Sequence, residues 1–383
     1  MEKTVLPFSL LKRVFLLLIF LTFSVISQSQ AKTDLLQHFQ KGINLGGWIS
    51  QYQMWPKINF DTFITEKDIN LISSWGMDHV RLPVDCEIIE QEVTPFNMKE
   101  EGLRHIDDCL RWCKELNLAL ILDLHRAPGY SFENSLIGAD KSKNQLWTNT
   151  SFQERYINIW KSLTVRYKDT KSNLIFELLN EVVVVDPSVW NSLAGKTVEA
   201  IRKIDPERVI MIGGTNYNSV FALKDIALIN DPKIVYTFHF YDPVIFTHQH
   251  APWVSAAVDY NKTLEYPGTF PDFDNFLKKH PQYEINLGRY RGHKLDKETM
   301  RMDLQPAVDF MKSTGKELYC GEFGIYNITS LKSRQAWFSD LISFLDEYKI
   351  GHAVWSYKDS GFGFANLSTY EAIDKELVKI VSH

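Results

Sequence analysis

Short apolar runs alternate with longer amphipathic segments along most of the chain, and this alternation restricts the fold more than any other feature of the sequence. Eight runs have the length and the Val, Ile, Leu and Phe content of buried strands. They cover residues 42–45, 79–84, 119–125, 174–179, 208–212, 234–240, 317–322 and 352–357. Strands that alternate with helices form parallel sheets. Eight such repeats predict an α/β fold, a single (β/α)8 TIM barrel.

The amphipathic segments predict the helices that connect these strands, and one connection is unusually long. Helix-like patterns cover 63–74, 98–116, 151–167, 188–204, 297–314, 333–347 and 370–381. Residues 241–296 show no clear helical pattern but contain many aromatic residues, which argues against disorder. We therefore predict an ordered insertion after strand 6 that forms one wall of a cleft at the barrel mouth.

The first 31 residues have the pattern of a secretory signal peptide, and an uncleaved membrane anchor is the alternative. Lys3, Lys12 and Arg13 precede an apolar run at 14–25, and small residues lead up to Ala31. The run is short for a membrane span. The sequence thus predicts cleavage after Ala31, a secreted or periplasmic protein without stable membrane insertion, and one catalytic domain over residues 32–383.

Composition and charge exclude several other classes of protein. The chain has 383 residues, 45% of them hydrophobic, and a net charge of −5, with no basic stripe that would suit nucleic acid. Residues 42–47 do not match the glycine pattern of a dinucleotide site, so no cofactor is predicted. We expect a monomer. The cysteines are either paired or free buried thiols, and their spacing does not favour zinc; they are Cys86, Cys109, Cys113 and Cys320.

Polar side chains occur at the ends of several predicted strands, where a barrel gathers them on one face. Asn180 and Glu181 follow the fourth apolar run, and Glu322 ends the seventh. Two carboxylates in such positions suggest glycoside hydrolysis. Each residue alone has a structural explanation, but buried charge is costly unless it is paired or used. The other strand-end candidates are Arg81, Asp123, His125, His239, Tyr241 and Trp355.

These strand ends carry short motifs whose order resembles glycoside hydrolase family 5. They are GINLGGW at 42–48, RLP at 81–83, DLHRAPG at 123–129, NE at 180–181, HFY at 239–241, GEFG at 321–324 and Trp355. The resemblance extends from Lys41 to Lys358 and implies a retaining β-glycosidase. It makes Glu181 the general acid/base and Glu322 the nucleophile.

The same resemblance implies supporting roles for six other residues. Arg81 and Tyr241 would donate hydrogen bonds to Glu322, and Asn180 would bind the sugar 2-hydroxyl. His125 and His239 would hold hydroxyls or orient the carboxylates, and Trp355 would stack under the sugar. Metal catalysis is the mechanistic alternative, but no HxH or HExxH pattern occurs, so no metal is expected.

The substrate is expected to be a polysaccharide or oligosaccharide, and its linkage is the open question. The segment at 123–129 resembles the β-1,3-glucanase branch, so a β-1,3 or mixed-linkage glucan is favoured and β-1,4 remains open. A β-mannanase or other β-glycanase is the alternative within the family, and a catalytically inactive carbohydrate-binding barrel is the alternative from another class. Candidate aromatic residues for the sugar subsites are Trp48, Trp55, Tyr130, Trp147 and Trp253.

Overall fold

In the described part of the chain, eight parallel strands close into a barrel in sequence order. The computed structural model describes residues 35–54, 59–136, 138–170, 173–358, 361–366, 369 and 371–383. Each strand pairs with the next, and β8 pairs with β1. The predicted (β/α)8 barrel is confirmed, with strand limits that differ by only a few residues from the sequence pattern. The strands are β1 (Lys41–Asn44), β2 (His79–Asp85), β3 (Ala119–Arg126), β4 (Leu174–Glu177), β5 (Ile210–Gly213), β6 (Ile234–Phe240), β7 (Leu318–Phe323) and β8 (Gly351–Val354).

Longer helices follow most strands, and their ends carry the expected capping residues. Asn149, Asp186 and Asp296 each accept a hydrogen bond from a backbone N–H in the first helical turn that follows. The connection from β5 to β6 instead uses a 3-10 helix, Val220–Asp225. The longer helices are α1 (Glu66–Ser74), α2 (Glu100–Glu115), α3 (Thr150–Tyr167), α4 (Pro187–Arg202), α5 (Lys297–Thr314), α6 (Leu331–Tyr348) and α7 (Lys375–Val381). Shorter helical segments in the other loops are Tyr52–Met54, Phe60–Phe63, Cys86–Ile89, Phe132–Ser135, Lys141–Lys143 and Thr215–Asn218.

The insertion between β6 and α5 is ordered, as predicted, but the expectation that it lacks helices is wrong. Its helical segments are too short to produce a clear period of hydrophobic residues. They are stabilised by aromatic contacts, such as that of Tyr260 with Phe276, whose ring centroids lie 4.8 Å apart. Arg289 ties the insertion to α5 through Asp303 (Nε to Oδ1, 2.9 Å). The segments are Val244–Thr247, Ser255–Tyr260, Phe273–Lys279, Pro281–Tyr283, Glu284–Leu287 and Gly288–Tyr290.

The strand register brings polar side chains together inside the barrel near the ends of the strands. Asn44 on β1 lies opposite Arg81 on β2, and Asp123 on β3 lies opposite Glu177 on β4. His239 on β6 is paired with Glu322 on β7, directly after a register shift. All of these residues except Glu322 and His239 are completely buried. The register therefore places the positive charge of Arg81 among carboxylates that it can neutralise.

Two of the open questions from the sequence can be addressed in the described residues. All four cysteines are buried free thiols, so the second of the two alternatives holds. Among the described helices, none combines the length and apolarity that a bilayer span requires. The predicted signal peptide lies outside the described residues and stays a prediction.

The ion pair between Glu90 and Arg155 connects the loop after β2 to α3. Breaking it shows how much a buried contact contributes to the free energy of unfolding. Arg155 Nη2 donates to Glu90 Oε2 at 2.7 Å, and Glu90 is 1% exposed. We expect Glu90→Gln to lower the free energy of unfolding by about 3 kcal/mol, because Arg155 loses its charged partner in a buried setting. Chemical denaturation measures this difference.

The matched control is Asp61→Asn at an exposed ion pair. Asp61 and Arg104 have side chains that are 60% and 51% exposed, and water screens such a pair, so its loss should change the free energy of unfolding far less than the loss of the Glu90 pair. Equal losses in the two variants would contradict the assignment of a structural role to Glu90.

Candidate active site

The buried guanidinium of Arg81 is the centre of the polar cluster at the strand ends. Its Nε and Nη2 donate to the two carboxylate oxygens of Glu177, at 2.7 and 3.0 Å. Nη1 donates to Asn44 Oδ1 and to Glu322 Oε1, both at 2.8 Å. Nη2 also donates to Asn180 Oδ1 at 2.9 Å. A guanidinium matches the geometry of a carboxylate better than any other cationic side chain does. Arg81 thereby fixes residues from three strands: Asn44 in β1, Glu177 and the following Asn180 at β4, and Glu322 in β7.

Glu322, in β7, is held on both carboxylate oxygens. Oε1 accepts the bond from Arg81, and Oε2 accepts a hydrogen bond from the Tyr241 hydroxyl at 3.0 Å. Burial raises the pKa of Glu322 to about 7, and the charge of Arg81 opposes that rise. The Tyr241 hydrogen bond also lowers this pKa, because it stabilises the ionised carboxylate.

Glu181 follows β4 and has an unusual backbone conformation. Its φ is +40°, in the left-handed region, which costs a residue other than glycine roughly 1–2 kcal/mol. The side chain approaches His239, with 3.0 Å between Oε1 and Nδ1. Burial, and next the charge of Glu322, raise the pKa of Glu181 well above its ordinary value. A carboxyl in this position is therefore suited to hold a proton at neutral pH.

Glu181, His239 and Glu322 converge on one point of the cleft. One carboxylate oxygen of each glutamate and a ring nitrogen of His239 lie within 4.8 Å of one another. This set could also hold a cation, since carboxylates and imidazole are common ligands. The spacing of the two carboxylates equally suits direct attack on a sugar carbon, because retaining glycosidases hold theirs about 5–5.5 Å apart.

His125 and Trp355 line the cleft together with the carboxylates. His125 Nδ1 lies 2.7 Å from Asp123 Oδ2, and burial lowers the pKa of the ring well below its usual value. The neutral ring therefore donates through Nδ1 and can accept through Nε2, which lies 3.4 Å from Asn180 Nδ2. Trp355 stacks on His125 with an interplanar angle of 8°.

The cleft has a volume of about 940 Å³ and contains most of the predicted site residues. Arg81 and Asn180 lie beneath it, at 0% and 1% exposure. The insertion forms one wall, as predicted, with Trp253 among the residues that line it. The other predicted residues that line the cleft are His125, Glu181, His239, Tyr241, Glu322 and Trp355.

Three predicted subsite aromatics do not line the cleft. Trp48 is fully buried, donates to the Phe60 carbonyl at 2.8 Å and stacks near Trp112, so its prediction was wrong. Tyr130 is only 3% exposed, because its hydroxyl is turned toward the backbone of Glu181. Trp147 is half-buried and packs edge-on against Tyr130. Trp55, a further predicted subsite residue, lies outside the described residues.

Several residues of the site were missed by the sequence analysis. Asn44 and Glu177 lie inside apolar runs that were treated as strand core, although a carboxylate in such a run is itself a signal that it must be paired. Tyr217 lines the cleft from the loop after β5, where Asn216, Tyr217 and Asn218 all have positive φ. No sequence pattern marks such a loop.

A (β/α)8 barrel with two carboxylates at the ends of β4 and β7, whose side chains are only 12% and 6% exposed at a large cleft, is the architecture of the barrel glycoside hydrolases. The family model for cellulase (glycosyl hydrolase family 5) matches residues 37–361. The chain therefore belongs to glycosyl hydrolase family 5 and is an O-glycosyl hydrolase.

Similar proteins agree with this family. Endoglucanase C of Acetivibrio thermocellus is 48% identical over 344 residues, which cover 90% of this chain and 98% of the relative. Cellodextrinase A of Ruminococcus flavefaciens is 29% identical, over 89% of this chain and 92% of the relative. The crystal structure of endoglucanase Cel5A from Thermotoga maritima has the same fold, with a TM-score of 0.73 and 22% identity over 91% of this chain and 99% of that one.

Replacing Arg81 by lysine tests how far the cluster depends on a forked donor. Lysine keeps the positive charge but cannot bond Glu177 through two parallel contacts. We expect Arg81→Lys to lower the free energy of unfolding by about 3 kcal/mol, because buried carboxylates lose their partners. The control is Arg166→Lys, whose pair with Asp107 is partly exposed (31% and 39%) and should contribute less than about 1 kcal/mol. A loss no larger than that of the control would contradict this account.

Proposed function

We propose that the chain is an endo-acting β-1,4-glucanase that cleaves with retention of configuration, with Glu322 as nucleophile and Glu181 as general acid/base. The observation that carries the proposal is the convergence of these two carboxylates, one oxygen of each lying within 4.8 Å of the other. Inverting enzymes need about 6.5–9.5 Å between their carboxyl groups to admit a water molecule. The shorter spacing favours direct attack.

In the first step Glu322 attacks the anomeric carbon and forms a covalent glycosyl-enzyme. The attacking group must be ionised, and two donors favour that state: Arg81 at 2.8 Å and the Tyr241 hydroxyl at 3.0 Å. Each donor approaches a different oxygen, so both orient the carboxylate. The leaving sugar oxygen receives its proton from Glu181.

In the second step Glu181 acts as the base. The charge of Glu322 helps to raise the pKa of Glu181, and this charge disappears when Glu322 becomes esterified. The pKa of Glu181 then falls, and the carboxylate can accept a proton from the attacking water. His239 Nδ1, 3.0 Å from Glu181 Oε1, orients the carboxyl group in both steps.

The remaining strand-end residues suit sugar binding. Trp355 lines the cleft and stacks on the His125 ring, a contact that restrains the indole and suits it to pack against a sugar ring. Asn180 Oδ1 is held by Arg81, and one hydrogen of its Nδ2 faces His125 Nε2, so the second hydrogen would donate to a sugar 2-hydroxyl.

The linkage is proposed from the relatives, since the catalytic set is compatible with many β-glycans. The relatives at 47–48% identity, of which 98% of the length is covered, are named endoglucanases. The segment at 123–129 favours a β-1,3 or mixed-linkage glucan instead. A mixed-linkage glucan also contains β-1,4 bonds and is the second candidate. Secretion, inferred from the predicted signal peptide, suits a polymeric substrate.

Substitution of the two glutamates tests the mechanism. We expect Glu322→Gln to lower kcat on the order of 10⁴-fold or more, because the amide cannot form the glycosyl-enzyme. Glu181→Ala should be slow, and added azide should raise its turnover of an aryl β-cellobioside with an activated leaving group, because azide attacks the glycosyl-enzyme without a base. The product would be the β-glycosyl azide, identified by NMR. Full activity of either variant, or an α-azide, would contradict the assignment.

A substrate panel tests the linkage. We expect the purified protein to release cellooligosaccharides of several lengths from β-1,4-glucan, because the relatives are endoglucanases. The panel should contain cellulose, mixed-linkage glucan, β-1,3-glucan and mannan oligosaccharides, with Glu322→Gln as the inactive control. Cleavage of β-1,3-glucan alone would replace the proposed linkage with the one that the sequence favours, and cleavage of mannan alone would exclude both.

The hydrogen bond from Tyr241 predicts a shift in the pH profile. Activity requires ionised Glu322, so kcat/KM falls as the pH drops below the pKa of that group. Tyr241 lowers this pKa, so Tyr241→Phe should raise it and move the acidic limb of the profile to higher pH. The alkaline limb, which reports protonated Glu181, is the internal control. An acidic limb that stays in place or moves to lower pH would contradict the assigned contact.

A further inference from the structure

The motif at 123–129 ends in a tight turn that leads into Tyr130. The Tyr130 N–H donates to the Ala127 carbonyl at 2.8 Å, and the Ala127 N–H donates to the Tyr130 carbonyl at 3.1 Å. Gly129, at the third position of this turn, has φ of +70°, a conformation that suits glycine. A Cβ at that position would lie 2.5 Å from the Phe152 ring. The sequence Ala-Pro-Gly therefore suits the tight turn that positions Tyr130.

The Tyr130 hydroxyl bonds the backbone on both sides of Val182. It donates to the carbonyl of Glu181 at 2.6 Å and accepts from the N–H of Val183 at 2.8 Å. Burial raises the pKa of this hydroxyl well above its ordinary value, so it remains neutral and can both donate and accept. The ring itself is fixed by the edge of Trp147, with centroids 4.8 Å apart.

The bonded segment is the one that places Glu181 in the cleft. Glu181 has φ of +40°, and a residue other than glycine keeps such a conformation only where its surroundings impose it. The loop after β5 adds a third contact, from the Tyr217 N–H to the Val182 carbonyl at 3.3 Å. Three hydrogen bonds thus hold the two successive peptide groups that join residues 181–183.

We propose that Tyr130 is a positioning residue for the general acid/base: its hydroxyl holds the backbone of residues 181–183 so that the Glu181 carboxyl faces the scissile oxygen. This inference rests on the proposed function, because it assigns a cause to the position of the residue that supplies the proton. It also replaces the sugar-stacking role predicted for Tyr130, since a ring that is 3% exposed offers no face to a substrate.

This role predicts an effect that depends on the leaving group. A displaced Glu181 cannot protonate an unactivated sugar oxygen, whereas 2,4-dinitrophenolate leaves without a proton. We expect Tyr130→Phe to lower kcat/KM on a cellooligosaccharide by about tenfold or more and to change it little on 2,4-dinitrophenyl β-cellobioside. Added azide should raise kcat on the aryl substrate, because the base is impaired as well.

The matched control is Tyr156→Phe. Tyr156 is also a buried tyrosine, and its hydroxyl donates to the carbonyl of Leu178, three residues before Glu181 (2.9 Å). That carbonyl also accepts from Trp160 Nε1 at 3.1 Å, so one bond remains in the variant. We expect Tyr156→Phe to give the same ratio of the two kcat/KM values as the unmodified protein. Melting temperatures of both variants show whether a loss reflects unfolding.

Glu181→Ala, measured in parallel, separates the two proposals. Suppose that Glu181→Ala shows the leaving-group dependence, but that Tyr130→Phe loses activity equally on both substrates or loses none. The role of Tyr130 is then overturned, and the proposed function stands. If Glu181→Ala itself shows no such dependence, the acid/base assignment fails and the inference about Tyr130 fails with it. Dependence in both variants, absent in Tyr156→Phe, supports the proposal.

Discussion

The burial of one guanidinium determines how the strand ends of this barrel are arranged. Arg81 is completely buried, and a charge in that position is tolerated only if it is fully paired. Its partners are Asn44, Glu177, Asn180 and Glu322, together with Asp123 at 3.1 Å. Three of them are carboxylates, so Arg81 itself is outnumbered. Burial raises the pKa values of Glu181 and Glu322, and neighbouring carboxylates add to the rise that Arg81 opposes. Raised pKa values suit chemistry that needs one protonated and one ionised carboxyl.

The sequence predicted the parts of the structure that depend on short-range pattern. The alternation of apolar runs and amphipathic segments was sufficient for the barrel, because a parallel sheet requires both. Glu181, Glu322, His239 and Tyr241 were found because polar side chains stand out at the ends of apolar runs. Their convergence then followed from barrel geometry alone.

What the sequence did not show depends on contacts between distant residues. Trp48 follows a pair of glycines in the motif at 42–48, yet its ring fills the core, and only the surrounding side chains decide whether it is buried or lines the cleft. Tyr130 was predicted to stack on a sugar, although its ring is buried and its hydroxyl forms hydrogen bonds with the backbone of Glu181 and Val183. The helices of the insertion are individually too short to produce a hydrophobic period, and Glu177 is hidden in an apolar run until its partner Arg81 is known.

The distribution of the Arg81 partners divides the barrel into two unequal halves. Asn44, Asp123, Glu177 and Asn180 all come from β1 to β4 or the residue segment just after them, so the first half of the barrel can neutralise Arg81 by itself. Of the Arg81 partners named here, Glu322 is the one that comes from the second half of the barrel. The second half also supplies the cleft residues His239, Tyr241 and Trp355 and the insertion wall. The N-terminal half thus contains all the groups that are needed to neutralise Arg81. The groups from the C-terminal half reach their final electrostatic environment only when they pack against the N-terminal half.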